Sequence, residues 1–256
     1  MSGGHGHSHG LHRPGHSVVH RLAPQVKVAA TLGFVFAVVA TPRDAFWVFA
    51  LDAVLLAAVA LIATVPLTLV ARRLVIEVPF VAFALFLPLV GQAPHTEVLG
   101  VSLSEPGLWA AWNILVKGTL GVAATTLLAT TTSVPELLCG LDRLRVPRVF
   151  TAIAGFMVRY AEVITGEVRR MRIARLSRGY DARWAWQGRA VAASAGTLFV
   201  RAFERGERIH VAMLSRGFTG ELPPAAREHT PRHEWALASV VPLLAAAAAL
   251  AAQVAA

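Results

Sequence analysis

Two segments of this chain end in the same five-residue pattern. Leu176-Ser177-Arg178-Gly179-Tyr180 is repeated, at an offset of 38 residues, by Leu214-Ser215-Arg216-Gly217-Phe218. The same offset pairs Arg170 with Arg208 and Ala174 with Ala212. A glycine just past a helix takes the left-handed conformation that closes the last turn, so Gly179 and Gly217 are expected as C-terminal caps. Arg178 and Arg216 then stand on the last turn, where the helix dipole favours a cation. A guanidinium there is a planar fork of donors suited to carboxylates and carbonyls of a facing protein. The aromatic residue that follows can fill an apolar pocket beside it. One such ending is ordinarily a capped helix and nothing more. Two of them point to a partner with two equivalent docking sites.

Other residues carry different chemistry. Six of the ten histidines (His5, His7, His9, His12, His16 and His20) fall in the first 20 residues, interleaved with glycine. Such a chain can wrap a divalent cation such as Co2+ or Ni2+, with His5, His7, His9 and His12 as candidate ligands. The competing reading is a tail with no place in function. Asp52 and Lys117 interrupt apolar stretches, which is costly unless they pair or face a wet interior. Counted from the ends of their segments they reach similar depths, and an ion pair is the expected arrangement. Glu77 is expected to reach an interface and to need no special role. The single Cys139 excludes an intrachain disulfide and a cysteine-based zinc cluster. The chain holds no G-x-x-x-x-G-K-[ST] loop to cradle ATP, and no His-Glu-x-x-His or Gly-x-Ser-x-Gly motif. Catalysis within this chain is not expected.

The elements that position these residues belong to a membrane protein. Of 256 residues 55% are hydrophobic and 15% charged, and the mean hydropathy is +0.58, too apolar for an ordinary soluble domain. The apolar residues come in long uncharged runs, and about 20 of them cross a hydrocarbon layer about 30 Å thick. The expected organisation begins with a His-rich tail over 1–25 and four transmembrane helices over 26–132. A region over 133–232 carries the paired Arg-rich helices, and a last transmembrane helix covers 233–256. Within it, spans are expected over 26–40, 45–70, 74–90, 108–130 and 235–256, with a loop over 91–107 marked by Pro94, Pro106 and three glycines. The fold class is therefore all-α, a polytopic membrane protein with about five transmembrane helices and a cytoplasmic coupling-helix region.

Charge sets the orientation. Of the 22 arginines, 17 lie between Arg143 and Arg232, and the net charge is +9. Basic residues in short loops prefer the cytoplasm. Arg13, Arg21, Lys27, Arg72, Arg73, Arg143, Arg145 and Arg148 all fall at alternate ends of the expected spans, which places the N-terminus and the Arg-rich block inside. No cleavable signal peptide is expected. Segment 167–178 (EVRRMRIARLSR) forms an amphipathic helix with a dominant Arg face, and 204–216 behaves likewise. The stretches 149–160 and 191–203 are apolar enough for the membrane or its interface.

With these residues in view, the chain resembles the transmembrane (T) component of energy-coupling factor transporters, closest to the cobalt type, CbiQ. The paired Ser-Arg-Gly endings look like the coupling-helix motifs of that family. The opening HRLAPQVKV, the segment from Ser104-Glu105-Pro106-Gly107-Leu108 to Lys117-Gly118, and Met157-Val158-Arg159-Tyr160 extend the likeness over roughly residues 20–220. Ala23 departs from it, since many members carry an acidic residue before the proline of Pro24-x-x-Lys27. The resemblance implies that Ser177, Arg178, Gly179, Ser215, Arg216 and Gly217 dock two cytoplasmic ABC-type ATPase subunits, which bind the ATP. It implies also a separate substrate-binding membrane subunit, a further small membrane subunit, contact with membrane lipids, and a multi-pass place in the cytoplasmic (inner) membrane of a prokaryote. Cobalt or nickel is the implied cargo. The alternative is a membrane-anchored adaptor that binds nucleic acid or another acidic partner through the Arg-rich helices. Against it, Glu162, Glu167, Glu204 and Glu207 interrupt the arginines, and no aromatic stacking pattern accompanies them.

Overall fold

A computed structural model describes Gly15 and residues 17–90, 95–98, 101–180, 188–219 and 230–255. The chain divides into two compact units, one of residues 1–144 and 228–256 and one of 145–227.

The first unit is a bundle. Helices α1 (Val18–Arg21), α2 (Pro24–Ala40) and α3 (Phe46–Ile62) lead through the short α4 (Leu67–Arg73) and a 3-10 turn (Leu74–Glu77) into α5 (Val78–Val90). Then come α6 (Glu105–Thr131), α7 (Val134–Arg143) and, at the end of the chain, α10 (Arg232–Ala255). By length and composition α6 and α10 are long and apolar enough to cross a membrane, and α2 and α3 are shorter apolar helices of 17 residues each. The core lies where α2, α3, α6 and α10 meet, around Phe34, Val38, Phe49, Leu56, Leu120, Leu127 and Ala245. Alanines 245, 248, 249 and 252 form the buried face of α10. Small side chains let backbones approach closely, which is how helices associate in lipid where apolar burial gives no drive. Gly33 of α2 serves the same end, because a Cβ there would lie 3.2 Å from Pro242 of α10.

Two expectations about boundaries change. The second span does not run to residue 70: α3 stops at Ile62. Thr64 takes a left-handed φ of 55°, its N–H donates to Leu61 O, and that of Val65 donates to Ala60 O. This is a complete Schellman closure, and Pro66 follows as a residue that cannot continue the helix. The loop expected over 91–107 contains a β-hairpin, β1 (His95–Val98) antiparallel to β2 (Val101–Ser104), with His95 opposite Ser104 and Val98 opposite Val101. The β-branched Thr96, Val98 and Val101 favour extended backbone, while the prolines and glycines that suggested a loop flank the two strands. Ser104 ends β2 and caps α6, its hydroxyl accepting from Gly107 N–H at 3.3 Å.

The interior charges also differ from expectation. Asp52 and Lys117 are not paired. Lys117 Nζ donates to Val39 O at 2.8 Å, whereas Asp52 is 0% exposed and neither carboxylate oxygen has a hydrogen-bond partner among the described residues. The cause is the C-terminus of α2, whose last four carbonyls have no partner within the helix. Thr41 takes those of Ala37 and Val38, Lys117 that of Val39, and Gln253 that of Ala40 at 2.8 Å. Asp52 shares the buried stripe of Val48, Leu56 and Ala60. Glu77 is buried by protein too, and accepts from Thr119 Oγ1 at 3.0 Å. Asp52→Leu is expected to stabilise the detergent-solubilised protein by about 2–3 kcal/mol, the order of the cost of a charge at mid-membrane depth. Lys117→Met is expected to cost about 1 kcal/mol, the net contribution of a hydrogen bond to a helix-end carbonyl. The two effects should add in a double-mutant cycle followed by thermal melts, and a coupling above 1 kcal/mol would restore the ion pair.

The second unit is a pair of long helices, α8 (Arg148–Ser177) and α9 (Gly188–Leu214). Residues 148–177 also meet the length and apolarity of a membrane span, and none of the apolar stretch is buried.

Candidate functional site

Both Ser-Arg-Gly endings close in the same way. At the end of α8, Gly179 has φ +73°, its N–H donates to Leu176 O at 3.0 Å, and that of Tyr180 donates to Arg175 O at 3.1 Å. At the end of α9, Gly217 has φ +81°, its N–H donates to Leu214 O, and that of Phe218 donates to Met213 O, both at 3.0 Å. Each pair is a Schellman closure with the glycine at C′ and the aromatic at C″. Even the serines match, since Ser177 and Ser215 donate back to the carbonyls of Ala174 and Ala212. The hydroxyls therefore shape the last turn and leave outward reach to the arginines. Arg178 and Arg216 are exposed, and neither guanidinium has a hydrogen bond or ion pair with any described residue. Each offers an unused fork of donors beside the helix end that favours it.

Neighbouring arginines are spent within the unit. Glu167 is bridged by Arg170 and Arg201, both at 2.6 Å, and Arg175 donates to Ser194 at 2.8 Å. The hydrogen bonds from Arg170 and then Arg201 hold the Glu167 carboxyl below the usual carboxylate range. A lowered folded pKa means the bridge contributes above the unfolded carboxylate pKa and is lost as pH falls through the lowered value. These contacts also fix direction. Glu167 meets Arg201 while the later Arg175 meets the earlier Ser194, so α8 and α9 run antiparallel. The two endings therefore lie at opposite ends of the pair. They are separated by roughly the 27 residues of α9, on the order of 40 Å at about 1.5 Å per residue.

Between the helices lies a groove lined by Phe156, Tyr160, Ile164, Ile209, Met213 and Phe218. Phe218, the aromatic of the second ending, thus has an apolar pocket within its own unit. The bridging by Glu167 and the antiparallel sense were not readable from the motifs. The glutamate's place just before four arginines over 169–175 was the one available signal. His5, His7, His9 and His12 lie outside the described residues, and among the described residues no three His, Cys, Asp or Glu gather as a metal site.

Known proteins share this arrangement of sequence. The family model described as cobalt transport protein, CbiQ, matches residues 15–226. An uncharacterised protein of Methanocaldococcus jannaschii is 26% identical over 66% of this chain, which spans 61% of that protein's length. The energy-coupling factor transporter transmembrane protein EcfT of Thermosediminibacter oceani is 26% identical over 82% of this chain and 84% of its own length. The cobalt transport protein CbiQ of Rhodobacter capsulatus is 30% identical over 48% of this chain and 50% of its own. A profile match over most of the chain, together with multiple apolar helices, makes this multi-pass membrane protein a member of the CbiQ cobalt transport family, the T components of energy-coupling factor transporters.

Proposed function

We propose that this chain is the membrane coupling subunit of an energy-coupling factor importer, carrying the conformational change of two cytoplasmic ATPases to a substrate-binding membrane subunit, with cobalt or nickel as cargo. The observation that supports this most is the matched pair of exposed, unengaged guanidiniums at opposite ends of α8 and α9. Two equivalent ATPase subunits need two equivalent contacts. A stiff antiparallel pair of helices spaces them and links their motion. The Glu167–Arg201 bridge and the Arg175–Ser194 hydrogen bond tie α8 to α9, so a push on one end is carried to the other. In this reading the N-terminus and the Arg-rich region are cytoplasmic, following the positive loops. The EcfT and CbiQ relatives support the transporter assignment by their names.

The test is to purify the protein from its native membrane in mild detergent and identify what accompanies it. Two ATPase copies and a second membrane subunit are expected. Recovery of nucleic acid in their place would favour the adaptor reading and overturn this one.

A further inference from the structure

The first unit contains a cavity of about 400 Å3 between α1, α2, α3, α6 and α10, separate from the paired arginines. Its walls are almost wholly apolar and include Phe34, Val59, Leu127, Val241 and Pro242. Its position is instructive. Ala23 N–H donates to Glu234 at 2.8 Å and Lys27 donates to Thr131 O at 2.9 Å, so the start of α2, the start of α10 and the end of α6 share one end of the bundle. From that end the cavity reaches Phe34 along α2 and Ala124 along α6, seven residues beyond Lys27 and Thr131 respectively. At about 1.5 Å per residue this depth is about 10 Å, within one leaflet of a hydrocarbon layer about 30 Å thick.

The mouth is basic. Lys27 is buried on the cavity wall, and among the described residues its ammonium meets two carbonyls, those of Thr131 and His20, for its three N–H bonds. Arg21 stands exposed on α1, whose Val18 and Val19 line the cavity, and its guanidinium has no hydrogen bond or ion pair among the described residues. The carboxylates facing this end are committed to helix starts. Glu136, which acts on Lys27, closes the capping box of α7 with Ser133, and Glu234 accepts from the backbone of Ala23. An apolar slot about 10 Å deep, with Lys27 on its wall and Arg21 next in sequence to the lining Leu22, matches an amphiphile with an anionic head. Water has few polar partners there.

We propose that this cavity holds one acyl chain of an anionic phospholipid from the leaflet on the N-terminal side, its phosphate held by Arg21 and Lys27. The lipid links α1, α2, α3, α6 and α10 at one end of the bundle, and anionic lipid thereby supports the fold. The site does not depend on the coupling role of α8 and α9.

The test uses the full chain in nanodiscs of phosphatidylcholine mixed with phosphatidylglycerol, followed by native mass spectrometry of the retained lipid. The wild type is expected to retain about one phosphatidylglycerol per chain. Ala238→Phe and Thr31→Leu, which fill the cavity from α10 and α2, are expected to lose it. Arg21→Gln removes an exposed cation without disturbing the packing, and should lower the preference for phosphatidylglycerol over phosphatidylcholine about fivefold. Retention equal for the two lipids in the wild type would overturn the proposal. So would unchanged retention in both filling variants, or an unchanged preference in Arg21→Gln.

Discussion

Replacing Arg178 and Arg216 together with alanine is expected to abolish co-purification of the ATPase subunits while leaving the membrane unit folded. Truncating one member of a docked, hydrogen-bonded charge pair typically costs about 2–5 kcal/mol, and each 1.4 kcal/mol is about tenfold in affinity. Losing two such contacts weakens the assembly by about a thousandfold or more. Each single variant should fall between, because the intact end still holds its ATPase close and rebinding is then effectively intramolecular. The chain supplies its own controls. Arg172 sits on α8, exposed and about two turns before the cap at Gly179, so Arg172→Ala removes the same charge from the same helix. If attraction between a basic surface and an acidic partner were the whole effect, Arg172→Ala would weaken binding as much as Arg178→Ala. The cap geometry predicts a much smaller loss. Arg178→Lys keeps the charge but loses the planar fork, and an intermediate result is expected. A double variant that retains both ATPases at wild-type yield in a salt-matched pull-down would refute the docking assignment.

Gly107→Ala is expected to be the most damaging single methyl addition in the membrane unit. Glycine to alanine inside a helix ordinarily gains up to about 1 kcal/mol, because alanine gives up less backbone freedom. At Gly107 the new Cβ would lie 2.5 Å from Leu87 O and 2.8 Å from Pro88 Cα. Both are backbone atoms of α5, and no rotamer change can move them. Pro88 leaves that stretch of α5 with its backbone direction fixed by the ring. Relief therefore requires α5 and α6 to separate, with a net cost of about 1–3 kcal/mol or more. Gly121, on the same helix α6, has nothing within 4 Å of its would-be Cβ. Gly121→Ala should be neutral or stabilising. Thermal midpoints of the two variants in one detergent decide the matter, and a Gly107→Ala midpoint at or above wild type would sink the close-approach account.

Much of the architecture was legible because it rests on local chemistry. The apolar runs marked α2, α6 and α10 within a few residues, since a hydrocarbon layer demands length and apolarity whatever the neighbours are. The closures at Gly179 and Gly217 were legible for the same reason. A left-handed residue after a helix is a property of the backbone and of glycine's missing Cβ, and no distant contact is needed to produce it. Where a local signal was ambiguous the reading slipped. Apolar residues continue past Ile62 to Val70, and only the left-handed Thr64 and the Pro66 behind it divide them into two helices. The prolines and glycines of 91–107 signalled a loop, and the residues between them form two short strands.

Sequence alone determined that this chain is a membrane protein and that two of its helices end in matched arginine-glycine closures. Tertiary structure decided which groups satisfy one another. Lys117 had two candidates, a carboxylate at similar depth and a helix-end carbonyl, and packing placed α2's unmet carbonyl within reach while Asp52 faced the core. Glu167 had arginines on both helices to choose from, and the antiparallel pairing gave it one from each. That same pairing sent the two caps to opposite ends. A side chain's type and spacing state what it needs. Which partner meets that need depends on distances that exist only after the helices pack.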